Sequence, residues 1–128
     1  MNNDPIKIRR FTDLNTWKEG HKLVLSIYKV TSEFPSRENF SLIDQMRRAA
    51  VSITSNIAEG FSRYGNKEKI RFYYMALGSL TELQNQIIVA NDVGYLKNDL
   101  KVNIEEKSII VHKLITGLIK GAKKLPYA

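Results

Sequence analysis

The chain has 128 residues, no cysteine, and twenty Lys and Arg against thirteen Asp and Glu, for a formal net charge of +7. That length suits one domain with a core of its own. The absence of cysteine excludes a disulfide framework and a thiolate nucleophile, and it fits a reducing cytoplasm. The positive excess favours acidic partners, with nucleic acid first and an acidic protein or a membrane surface behind it. Solubility alone is the competing explanation for a charge of this size. The opening Met1-Asn2-Asn3-Asp4-Pro5 lacks the apolar run of a secretory signal. No stretch approaches the roughly 20 apolar residues of a membrane span, so the expectation is a cytoplasmic protein with no membrane partner.

Residues 1–11 are polar and basic, with Lys7, Arg9 and Arg10 beside Ile6 and Ile8, and read as a flexible arm. Thr12 or Asp13 can cap a first helix carrying Leu14, Trp17, His21, Val24, Leu25 and Tyr28 at steps of three and four. Glu33-Phe34-Pro35-Ser36 ends it, because the residue before proline avoids helical geometry. Ser41 and Asp44 form the pattern of a capping box. Behind them Leu42, Met46, Ala49, Ala50, Ile53 and Ile57 make one apolar stripe, with Gly60 as the natural helix end. Asn66 can cap a third helix reaching about Asp92, with Phe72, Met75, Ala76, Ser79, Leu80, Leu83, Ile87 and Ala90 on one broad face. Glu68 suits the positive end of that helix, whereas Lys67 and Lys69 oppose it. Gly78 costs about 1 kcal/mol against alanine unless another helix approaches it closely.

Gly94 provides the left-handed position of the next turn. A fourth helix follows from about Asp99 to Lys124 through Ile104, Ile109, Val111, Leu114, Ile115, Leu118 and Ile119, and Pro126 stops it. Short connections imply antiparallel neighbours. The chain is therefore read as all-α, an up-down antiparallel four-helix bundle over 12–125, with the arm 1–11 before it and a tail 126–128 after it. The third and fourth helices are apolar over more than one narrow stripe, which favours self-association over leucine and isoleucine scattered on a surface.

Nothing in the chain marks a catalytic centre. His21 and His112 stand among apolar helical positions, and neither belongs to a metal-ligand motif. Glu59 and Glu82 are too few for a carboxylate-bridged metal pair, and no Glu-x-x-His occurs. There is no nucleophile elbow and no phosphate loop. We expect no catalytic residue, no metal and no cofactor. A polar stripe of Ser52, Asn56, Glu59 and Arg63 runs beside the apolar stripe of the second helix. Together with Trp17, His21, Gly60 and Glu82 it reads first as a structural or assembly network and second as a ligand site.

The basic residues fall into four groups. These are Lys7, Arg9 and Arg10; Arg47 and Arg48; Arg63, Lys67, Lys69 and Arg71; and Lys120, Lys123 and Lys124. Such groups bind phosphates rather than read bases, and Tyr64 and Tyr73 can add stacking. No helix-turn-helix, RNA-recognition or zinc-finger signature accompanies them. The two competing readings are a nucleic-acid-binding accessory protein and a protein-interaction module in which the charge is incidental.

Three stretches stand out: Phe11-Thr12-Asp13-Leu14 with Trp17; Gln45 to Ile53 running into Ser55-Asn56-Ile57-Ala58-Glu59-Gly60; and Arg71-Phe72 with Gly78 to Leu83, ending at Gly94-Tyr95-Leu96. Through them the chain, from Phe11 to about Leu125, resembles the bacterial four-helix-bundle family encoded within intervening sequences of 23S ribosomal RNA genes. Thr54 stands where the family commonly has proline, which puts the local helix geometry in question. The resemblance implies a homo-oligomer, a ring-like pentamer, and identifies no catalytic residue. The wider family includes the accessory protein of diversity-generating retroelements, a basic barrel that binds nucleic acid and a reverse transcriptase. For this chain that implies RNA or DNA as a partner class, with a protein partner as the alternative.

Overall fold

The computed structural model describes residues 7–126. The arm assigned to 1–11 and the tail at 126–128 therefore fall partly outside the described residues. A 3-10 turn at Phe11–Asp13 leads into α1 (Asn15–Thr31), α2 (Leu42–Ser62), α3 (Asn66–Asp92) and α4 (Asn98–Lys123), with a second 3-10 turn at Ser36–Glu38. Each helix packs on its neighbours in sequence and α4 closes on α1, which makes the up-down four-helix bundle anticipated from periodicity.

The core comes from one stripe per helix. Leu23, Val24 and Ile27 of α1 meet Met46, Ala50, Ile53 and Ile57 of α2. Ala76, Leu80, Leu83 and Ile87 of α3 and Ile104, Val111 and Ile115 of α4 complete it. Fully burying each Leu or Ile stabilises the fold by about 1.5–3 kcal/mol before entropy is charged. Thr54 does not disturb α2: its hydroxyl donates to the Val51 carbonyl at 3.0 Å, and the helix runs through it unbroken.

Several expected caps are replaced by contacts from elsewhere in the chain. The Asp13 carboxylate accepts the backbone N–H groups of Arg9 and Arg10, both at 3.0 Å, so it secures the entering strand of chain rather than capping α1. Those two bonds hold its pKa below the ordinary carboxylate value. The Ser41–Asp44 capping box does not form: Ser41 Oγ donates to Glu38 at 2.9 Å, and Asp44 turns to Arg48 at 3.1 Å. Asn66 is the first residue of α3 rather than its cap, and Gly65, with φ 92°, occupies the cap position without a side chain to offer. Gly94, with φ 89°, supplies the left-handed turn before α4, and Asn91 Nδ2 braces it by donating to the Leu96 carbonyl at 2.9 Å.

Gly60 corrects the reading most. It lies inside α2, buried, and the helix continues to Ser62. An ideal Cβ there would stand 2.5 Å from Tyr73 Cε1 and 3.2 Å from Phe72 Cβ. The residue is glycine because α3 comes that close. Gly78 has the opposite surroundings, with nothing within 4 Å of an added Cβ. Gly60→Ala should therefore lower stability by about 1–3 kcal/mol through overpacking. Gly78→Ala should raise it by up to about 1 kcal/mol through helix propensity. Urea unfolding of the two variants beside the parent chain checks both signs.

Candidate nucleic-acid interface

The up-down path brings the start of α1, the end of α2, the start of α3 and the end of α4 to one end of the bundle. Three contacts fix this pairing: Thr16 Oγ1 donates to the Leu114 carbonyl at 3.4 Å, Gly60 faces Tyr73, and Lys69 reaches Phe61. Charge is divided unequally between the halves. Residues 7–22, 53–78 and 111–126 carry 13 Lys and Arg and 4 Asp and Glu. Residues 23–52 and 79–110 carry 7 and 8. One half is thus near neutral and the other strongly basic.

Three of the four sequence groups lie toward the basic end: Arg9 and Arg10; Arg63, Lys67, Lys69 and Arg71; and Lys120, Lys123 and Lys124. Arg47 and Arg48 lie toward the other end. Lys18, Lys22 and Lys113 belong to the basic half although no run of basic residues singles them out. The signal that finds them is topological, since each becomes a neighbour of the basic groups only once the helices are paired.

The candidate basic side chains divide by what they already hold. Arg47 Nε donates to Thr31 Oγ1 at 2.9 Å, Nη2 donates to the Tyr28 carbonyl at 3.4 Å, and the guanidinium lies 4.5 Å from the Tyr28 ring centroid. It joins the last turn of α1 to α2. Lys69 Nζ donates to the carbonyls of Phe61 at 2.7 Å and Gly60 at 3.3 Å, so it satisfies the end of α2. Burial pushes its ammonium below the ordinary lysine range. Arg63 pairs with Glu59 at 3.3 Å and Arg71 with Glu68 at 2.8 Å. Both guanidiniums lie over Phe72, at 4.8 and 4.6 Å from the ring centroid. The Arg71 bond lowers the Glu68 pKa and raises that of Arg71. Arg48 pairs with Asp44 on the surface. Lys67, Lys120, Lys123 and Lys124 are exposed and make no ion pair or hydrogen bond among the described residues.

The anticipated polar network separates into local pieces. Asn56 Nδ2 donates to the Ser52 carbonyl at 2.9 Å, and Ser52 Oγ meets Ser79 Oγ at 2.8 Å, which joins α2 to α3. Glu59 faces outward to Arg63, and Glu82 accepts from Gln86 Nε2 at 3.3 Å. His21 is exposed rather than set among core residues, stacked on Trp17 with centroids 4.7 Å apart, while Phe11 meets Trp17 edge-on. Tyr73, a candidate for stacking, is buried and lies against Gly60 instead. Leu25 and Tyr28 are exposed as well, Tyr28 beneath Arg47.

Among the described residues no group of three or more His, Cys, Asp and Glu could hold a metal ion. No helix there is long and apolar enough to cross a membrane. A cavity of about 300 Å³ lies between α1 and α4 at the near-neutral end, lined by Val30, Leu100 and Ile104 with Ser26, Ser32, Lys29, Glu33 and Lys107, and Ser32 Oγ there donates to the Lys29 carbonyl at 2.6 Å.

A family model described as 23S rRNA-intervening sequence protein matches residues 12–117. The fold is similar to a crystal structure of a protein of unknown function from the S23 ribosomal protein family of Bacteroides thetaiotaomicron VPI-5482. The TM-score is 0.75 at 19% identity, over 82% of this chain and 95% of that one. No curated protein matches the chain.

Arg47→Met and Lys69→Met should each cost about 1–2 kcal/mol by leaving backbone or hydroxyl groups unsatisfied. Lys67→Met should change stability by less than about 0.5 kcal/mol. Thermal unfolding followed by circular dichroism separates the two kinds of basic residue.

Proposed function

The chain belongs to the 23S rRNA-intervening sequence protein family, and from that premise we propose that it is a non-enzymatic, self-associating protein that holds the phosphate backbone of RNA or DNA on the basic end of its bundle. The observation that carries this reading is the set of exposed, unpaired lysines at that end: Lys67, Lys120, Lys123 and Lys124. Lys67 stands in the first turn of α3, where its charge opposes the helix dipole and Glu68 beside it favours that dipole. Its ammonium is exposed and holds no ion pair or hydrogen bond among the described residues, so it is open to an anion brought from outside. Phosphate contacts of this kind give affinity without base sequence. Pentameric assembly, suggested by the family resemblance, would repeat the basic end several times and multiply its affinity. A cytoplasmic setting and kinship with retroelement accessory proteins belong to the same reading.

A protein-interaction module is the second reading, and it rests on apolar exposure. Phe40 is 98% exposed in the connection before α2, and Ile88, Val102, Ile109 and Ile110 stay about half exposed on α3 and α4. Surface of this kind suits contact with copies of the chain or with another protein.

The combined variant Lys120→Glu, Lys123→Glu, Lys124→Glu separates the two. Under the first reading it weakens RNA and DNA binding and flattens the dependence of log affinity on log salt by roughly one unit per lost phosphate contact. Lys97→Glu with Lys107→Glu, at the other end, leaves both unchanged. Fluorescence anisotropy across a salt series provides the measurement, and equal behaviour of the two variants would sink the assignment.

A further inference from the structure

Basic and aromatic side chains line the outside of α3. Lys67, Arg71, Tyr74 and Gly78 follow at steps of four, three and four, so they share one face of the helix. All four are exposed, and the stripe from Lys67 to Gly78 is about 16 Å long. Tyr64 stands at its head, in the turn Arg63–Gly65 that leads into α3. The positive φ of Gly65 shapes that turn, and Tyr64 is 85% exposed. Tyr74 is 52% exposed.

The core of α3 uses another face altogether, through Ala76, Leu80, Leu83 and Ile87. Gly78 adds an independent observation. It sits in mid-helix with nothing among the described residues within 4 Å of an added Cβ, so it costs helix stability while no described neighbour requires it. A flat, open patch at the end of an aromatic and basic stripe is explained by something that lies down on it.

Resting on the reading of the basic end given above, we propose that this stripe is a track for single-stranded nucleic acid. Tyr64 and Tyr74 stack on two separated unpaired bases of one strand, while Lys67 and Arg71 meet phosphates between them. A duplex offers stacked, inaccessible base faces to an aromatic ring, whereas a single strand offers every face. The pattern of cations between rings therefore selects the unpaired strand. Arg71 is pre-set for this role, since its bond to Glu68 and its position over Phe72 hold the guanidinium in place. The track has no device for reading base identity, so it takes RNA and DNA strands of mixed sequence.

The test uses the full chain and two fluorescent probes of equal length: an unstructured oligothymidylate, and a duplex. Circular dichroism and sedimentation confirm the fold and assembly size of each variant. The inference expects the single strand to bind more tightly than the duplex at the same salt. Tyr64→Ala and Tyr74→Ala should each weaken the single strand about ten-fold while leaving duplex binding and the salt slope unchanged. Tyr64→Phe should keep the wild-type affinity. Preference for the duplex, or equal loss on both probes, or no effect of either alanine, overturns the track and leaves the basic end standing as a phosphate site. A fall in assembly size in the alanine variants also overturns it, by assigning the stripe to contact between copies of the chain. Absence of binding to either probe at low salt overturns both the track and the reading on which it rests.

Discussion

The contact of Gly60 with Tyr73 brings α2 and α3 together at the width of a buried aromatic ring, and the three-residue connection beside it leaves the chain no course but to reverse. Once α3 runs back along α2, its first turn and the last turn of α2 share one end of the bundle. The closure of α4 on α1 then brings the final lysines there too. Lys69 completes the junction by donating to the carbonyls that α2 leaves unpaired. The concentration of positive charge is therefore a consequence of helix pairing, since the residues that make it are spread over the first, middle and last parts of the chain.

Basic residues in this protein do two separate jobs. Arg47 and Lys69 act as caps supplied from another helix, and their charge is directed at carbonyl and hydroxyl oxygens of the chain itself. Arg63, just past the end of α2, and Arg71 of α3 are shared between Glu59 and Glu68 respectively and the Phe72 ring. Exposed pairs of that kind add little to stability, about 0–1 kcal/mol, but they hold the guanidiniums at defined places. Lys67, Lys120, Lys123 and Lys124 hold no ion pair or hydrogen bond among the described residues, and Lys120 and Lys123 suit the negative end of α4. The same division explains why net charge alone is an ambiguous guide to function: +7 says nothing of which cations are occupied.

The helices, their order and most of their buried faces were legible in the sequence, because apolar residues at steps of three and four recur through each segment. Met46, Ala50, Ile53 and Ile57 are buried as their spacing requires. What escaped a local reading is what the third dimension decides. Gly60 has the look of a helix end but is the site of closest helix approach. Ser41 and Asp44 have the spacing of a cap, yet Glu38 and Arg48 compete for them. His21 follows the apolar period but lies at its margin, where it stacks on Trp17 in the open. Lys69 opposes the dipole of its own helix because it serves the end of another. In the candidate site, the members of the Arg63–Arg71 group were recognisable as a run. Their union with Lys120, Lys123 and Lys124 required the topology, and the outward direction of Tyr74 required the packing of α3.

The central claim is that the basic end of the bundle is the working surface, and lysine acetylation footprinting tests it most directly. The chain is labelled with and without saturating RNA, and each lysine is read by mass spectrometry. The account predicts protection at Lys67, Lys120, Lys123 and Lys124, with Lys97, Lys101 and Lys107 modified as fast as in the free protein. Protection spread evenly over the chain, or confined to the near-neutral end, would contradict it.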